Sequence, residues 1–145
     1  MSLARQAGRR LDVPYIDCYL VPVPRANKAA YERMAATSAR VVRACGALRV
    51  TECWLDESGP DASTYHGDTV RQAADAYTGF RQAAGAREDE TLVMSWVEWP
   101  DKAARDAGMA KVTSDPRMQF EGQVPVFDGV RLIAGGFLPM PLPLA

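Results

Sequence analysis

A chain of 145 residues fits one domain and can bury roughly two thirds of the surface its unfolded form exposes, so a real core is expected. Seventeen Lys and Arg against eighteen Asp and Glu leave a net charge of -1, which provides no positive field to gather nucleic acid or an anionic membrane. The first thirteen residues carry Arg5, Arg9 and Arg10 without the apolar run of a secretory signal, and no apolar stretch reaches membrane length, so the expectation is a cytoplasmic protein with a flexible arm over residues 1–13.

YIDCYLVPV, Tyr15 to Val23, predicts a first strand, with Tyr15, Asp17, Tyr19 and Val21 on one face and Ile16, Cys18 and Leu20 on the other. Asn27 offers an N-cap oxygen to a helix over residues 28–45, which Gly46 ends as its left-handed residue. Along it Tyr31, Met34, Ala35, Ser38, Val41, Val42 and Cys45 recur at helical spacing, while Arg33, Arg40 and Arg43 stay on the wet side. ALRVTECWL, residues 47–55, returns as a strand with Val50, Glu52 and Trp54 on one side and Arg49, Thr51, Cys53 and Leu55 on the other. After a polar stretch, Val70, Ala73, Ala74, Tyr77 and Phe80 share one helical face and predict a short helix within residues 68–84, weakened by Gly79.

TLVMSWVEW, residues 91–99, is the most apolar strand; Pro100 stops it and Asp101 caps a helix over residues 102–113. Asp115-Pro116 ends that helix and starts a capped corner. FDG reads as a tight turn with Gly129 at positive φ, and VRLIAGGF, residues 130–137, as the last strand, its paired glycines marking a bulge or a close backbone approach. Residues 139–145 form a proline-punctuated tail.

Cys18, Cys45 and Cys53 show no CxxC spacing and read as free buried thiols. The single histidine, His66, lies in a polar loop with no cysteine near it, so neither a metal nor another cofactor is expected. Acid–base chemistry then rests on Asp, Glu or Tyr.

Without the central polar stretch the order is strand, helix, strand, strand, helix, strand. That is the α+β, ferredoxin-like βαββαβ pattern, an antiparallel sheet with both helices on one face. The other face holds large apolar groups with no layer to cover them, so two copies are expected to pack sheet on sheet as a homodimer.

YIDCYLVPVP, GALRVTECW, SWVEWPDKAARDAG, SDPRM and FDGVRLIAGGF, in that order, resemble the YbaA-like family of small bacterial proteins grouped under a domain of unknown function. The resemblance implies a dimeric α+β barrel, a single domain over residues 14–138, and an insertion at about residues 57–88, centred on Asp61 to Ala76. Members of the wider superfamily include cofactor-independent monooxygenases, haem-degrading enzymes and muconolactone isomerase-like enzymes. A shared fold carries no activity from one to another. Haem would need an axial ligand, and His66 falls in the insertion rather than in a family motif.

The candidate catalytic residues are Glu98, Asp17 and Glu52. Glu98 shares a strand face with Trp96, and Glu52 with Trp54, so the carboxylates and indoles converge if the two strands pair; a carboxylate against indole in a dry cavity has a raised pKa. The plainer alternative pairs Glu98 with Arg105 as a solvated ion pair. Asp17, in the middle of an apolar strand, needs a partner such as Arg131 or a tyrosine hydroxyl. Tyr19, Trp54, Trp96 and Arg105 are the candidate ligand-binding residues, and Tyr31 reads as core with a satisfied hydroxyl.

Two functions follow. In one, the barrel binds a small aromatic or organic-acid ligand between sheet and helices, with proton-transfer or cofactor-independent oxidation chemistry. In the other it is a non-catalytic structural or interaction dimer. RNA recognition ranks below both, because LVMSWVEW lacks the basic-Gly-aromatic-Gly signature of RNA-recognition strands.

Overall fold

A computed structural model describes residues 13–120 and 122–143; residues 1–12 of the arm predicted over residues 1–13, and the end of the predicted tail, lie outside the described residues. Four strands, β1 (Tyr15–Pro24), β2 (Arg49–Trp54), β3 (Glu90–Trp99) and β4 (Ile133–Phe137), form one antiparallel sheet in the order β2-β3-β1-β4. Helix α1 (Lys28–Ala44) joins β1 to β2, the short α2 (Phe80–Ala84) precedes β3, and α3 (Lys102–Ser114) follows it. Among the described residues no helix is long and apolar enough to cross a membrane.

β1 and β3 pair from Tyr15 opposite Trp99 to Pro24 opposite Glu90 and form the centre of the sheet. Strand alternation then sends Asp17, Tyr19, Val21 and Val23 to the same side as Val93, Ser95, Val97 and Trp99. Both long helices pack on that side. Val41 and Val42 of α1, Val112 of α3 and Trp99 make one core cluster; Tyr31, Ala35, Val21, Val23 and Val93 make the other. Burying each such aliphatic side chain stabilises the fold by roughly 1.5–3 kcal/mol. The helical stripe expected on α1 is the one observed, with Arg33, Arg40 and Arg43 exposed.

Trp99 is fully buried, and Gly108 of α3 explains how. A Cβ at Gly108 would sit 2.5 Å from the Trp99 ring and 2.7 Å from the Cys45 carbonyl oxygen, so only glycine lets the helix rest on the indole. Of the paired glycines of β4, Gly136 acts similarly, for the Tyr15 ring lies over it where a Cβ would collide, whereas a Cβ at Gly135 would meet only an ordinary contact with Phe137. Asp101 caps α3 as expected, accepting from the Ala104 N–H at 2.7 Å, and Asp115 caps the turn that begins at Pro116.

Other local expectations are corrected. The Asn27 side chain does not cap α1; its amide donates to the Val126 carbonyl at 2.8 Å, tying the helix start to a distant loop. Gly129 has no positive φ, because it opens a 3-10 turn, Gly129–Arg131, capped by the Asp128 carboxylate. The last strand therefore begins at Ile133 rather than residue 130. The helix expected within residues 68–84 reduces to a turn at Ala74–Ala76 and to α2, since Gly79 is extended between them and Val70 is 63% exposed with no surface to bury against. The three thiols are free, but none is fully buried: Cys18 and Cys45 are half-buried, and Cys53 is exposed because it points away from the helices on an edge strand.

The sheet's second face is partly covered. Phe80 of α2 shares a shallow pocket with Leu20, Leu92 and Met94 at one end. The segment before α2 is fastened by Glu57, which bonds to both Arg25 and Arg81, while His66 stacks on Tyr77 with ring centres 4.1 Å apart. Along the β4 edge of this face, Ile133 is 49% and Phe137 59% exposed.

Candidate functional site

A cavity of about 270 Å³ lies between the sheet and the helices. Register builds its floor: Tyr19 of β1 faces Ser95 of β3, and Ser95 faces Glu52 of β2, so the three polar side chains form a row across three strands on the helix side. From α1, Tyr31 reaches down and donates its hydroxyl to Glu52, 2.8 Å from Oε1 and 3.3 Å from Oε2. Met34, Met109 and Met118 complete the apolar wall, polarizable side chains suited to irregular or aromatic contents.

Trp54 stands beside this site. Its ring meets Tyr31 edge-on at 5.3 Å, its Nε1 donates to Glu32 at 2.9 Å, and the Lys28 ammonium lies 4.8 Å above it. Glu52 is on an edge strand and keeps an outer side open to solvent. Desolvation by the cavity wall nevertheless raises its pKa, opposed by hydrogen bonding from Tyr31 and Ser95. Burial also raises Tyr31, with the Glu52 charge adding to it, and raises Tyr19, where Asp17 is the next cause. Both phenols thus stay protonated, with Tyr31 donating to Glu52, while Glu52 is the group able to take or give a proton.

The other candidates do not converge on this site. Asp17 is 4% exposed, and its partners are neither Arg131 nor a tyrosine. Trp99 Nε1 donates to its Oδ2 at 3.1 Å, and Arg105 Nε lies 3.0 and 3.3 Å from its two oxygens. Arg131 is held elsewhere, 2.7 Å from the buried Glu90. Arg105 is thereby committed to Asp17, with Asp106 at 3.2 Å, and locks α3 onto the sheet.

Glu98 is not paired with Arg105 either; its neighbour is Arg49, opposite it in the ladder at 3.7 Å. Trp96 and Glu98 occupy the face turned away from the helices, whereas Glu52 and Trp54 occupy the helix face. The expected meeting of two carboxylates and two indoles therefore fails: Trp96 pairs with Thr51, and alternation puts Glu52 through to the other side.

Tyr31 and Ser95 are the site residues that pattern reading passed over. Tyr31 was assignable only to the core stripe of its helix, although its hydroxyl does find a partner. Ser95 carried a usable signal, a small polar residue in the middle of the most apolar strand.

A four-stranded antiparallel sheet roofed by two helices, with a glutamate and a tyrosine bonded at the rim of the cavity between them, defines an α+β protein with a candidate small-molecule site. The chain belongs to the family described as "Protein of unknown function (DUF1428)", whose pattern matches residues 14–129. It is 42% identical over 123 residues to "Uncharacterized protein YbaA" of Escherichia coli strain K12, covering 85% of this chain and 93% of that relative. The same identity and coverage hold for the protein of that name in Shigella flexneri. The resemblance carried by the five sequence blocks is thus a family membership.

Proposed function

We propose that the protein is a homodimeric, ferredoxin-like α+β barrel that holds a small, partly aromatic organic molecule between its sheet and helices, with Glu52 exchanging a proton with that molecule. The row Tyr19–Ser95–Glu52 beneath the Tyr31 hydroxyl, in a cavity of about 270 Å³, carries this proposal. Ligand sites combine an apolar lining with a few convergent polar groups, and this cavity has both. A carboxyl whose pKa is raised by desolvation is better matched to proton transfer near neutral pH than an ordinary one. The strand order supports the ferredoxin-like assignment, and the exposed Ile133 and Phe137 support a second copy over the bare edge of the sheet.

A thermal-shift series with phenol, benzyl alcohol and catechol tests the site. The parent protein is expected to gain several degrees at saturating probe, because a ligand that binds only the folded state stabilises it. Glu52→Gln should diminish that gain. Asp17→Asn should lower the starting melting temperature, since it weakens the buried pair with Arg105, yet keep the gain. Silence from every probe with a folded parent protein would sink the ligand site. It would favour instead a non-catalytic interaction dimer, which the commitment of Asp17 and Glu98 to arginines also supports.

A further inference from the structure

We infer that the cavity selects small aromatic molecules carrying a hydrogen-bond donor, a phenol, alcohol or amine, over carboxylates of the same size. This rests on the cavity being a ligand site and goes on to name the chemistry it accepts. Its polar lining consists of the hydroxyls of Tyr19, Tyr31, Ser38 and Ser95 and the carboxyl of Glu52. Among the described residues that line it, none is Lys, Arg or His, so the one formal charge available is negative.

A carboxylate entering here would lose its hydration, meet no cation and face Glu52, an unfavourable exchange. A neutral donor gives its hydrogen to Glu52 instead, sharing the carboxylate with Tyr31. An amine brings a compensating charge and forms the stronger, charge-assisted bond.

The adjoining pocket has the same character. A shallow pocket of about 390 Å³ between α1 and β2 shares Tyr31, Ala35, Val50 and Glu52 with the cavity and adds Glu32. Beyond Tyr31 and Glu32 the helix presents Ala35, Ala36 and Ala39 there, so small side chains leave room beside the carboxylates.

Neighbouring charges do not reverse this selection. Asp17 lies two residues from Tyr19 but is neutralised by Arg105. Lys28 sits over the Trp54 ring and does not line the cavity. Arg33 and Arg117 line a different and larger groove beyond Met34 and Phe127, where Asp115 already holds Arg117 at 2.9 Å. As for size, an apolar cavity of about 150 Å³ suffices for benzene, so this one takes a single ring with a short substituent.

The test is protein-observed NMR titration at about pH 8, above the ordinary carboxylate range, with benzylamine, benzyl alcohol and benzoate, on the parent and on Glu52→Gln. Benzylamine and benzyl alcohol should shift the amides of Tyr31, Glu52 and Ser95 and bind at least about tenfold more tightly than benzoate, a difference of about 1.4 kcal/mol. Benzoate confined to the amides of Arg33 and Arg117 agrees with the proposal, and Glu52→Gln should narrow the gap by weakening benzylamine. Benzoate shifting the cavity amides of the parent at equal or lower concentration overturns the selectivity and leaves the ligand site standing. No cavity shift from any probe overturns both.

Discussion

Asp17 and Glu52 share one face of one sheet and end in opposite states because their neighbours differ. Asp17 meets an arginine and an indole N–H, so its charge is compensated and its oxygens are occupied. Glu52 meets only neutral hydroxyls, which bond to it without cancelling its charge. The raised carboxyl means that the folded state holds the Glu52 proton more tightly than the unfolded chain does. Its contribution to stability is therefore full below the ordinary glutamate value of 4.5 and is lost as pH rises through the higher folded value. Denaturant midpoints measured stepwise across that interval should fall in the parent protein and stay flatter in Glu52→Gln; a variant with the parental slope would assign the titration to another group.

At the scale of elements, the stretch from Ser95 to Gly108 works as a clamp. Trp99 ends β3 inside the core, Asp101 caps the next helix, Arg105 returns to Asp17, and Gly108 lies flat on the indole. Gly108→Ala should gain about 1 kcal/mol of helix propensity and lose roughly 1–3 kcal/mol to overpacking against Trp99 and the Cys45 carbonyl, a net destabilisation. Gly79→Ala is the comparison, because a Cβ there meets nothing within 4 Å and the backbone is already in an ordinary extended conformation. Chemical denaturation of the two variants should separate them, and equal stabilities would contradict the close seat of α3 on Trp99.

This clamp also marks where the sequence was readable. Strand alternation and helical spacing are local, so the helix-facing set of β1 and the stripe on α1 could be read from residue order alone. The bond from Arg105 to Asp17 joins residues 88 positions apart and depends on how α3 crosses the sheet. No spacing encodes that. The same holds for Asn27, whose side chain suited a helix cap and went instead to Val126 across 99 positions. Within the site, Tyr19 and Glu52 were identifiable as candidates, but their alignment through Ser95 required the register of two ladders, and a shift by one residue would have sent Glu52 to the other face.

For the molecule as a whole, the uneven cover of the second sheet face is the main constraint. Phe80 shelters Leu20 and Leu92, whereas Phe137 lies beside Ile16 at the uncovered edge. If a second copy closes that edge, light scattering should give the mass of two chains for the parent protein. Phe137→Asp should give one, since a carboxylate there would be buried without a partner. A parent of single-chain mass at micromolar concentration would remove the barrel while leaving the cavity on the helix side intact.

The placement of the indoles makes these layers separately visible to light. Trp99 is sealed beneath α3, Trp54 stands next to Glu52 under the Lys28 ammonium, and Trp96 looks out from the opposite side of the sheet. With three tryptophans in the chain, versions retaining one apiece would carry a fluorophore in the core, at the pocket mouth or on the bare surface, so that emission colour and quenching report each region by itself.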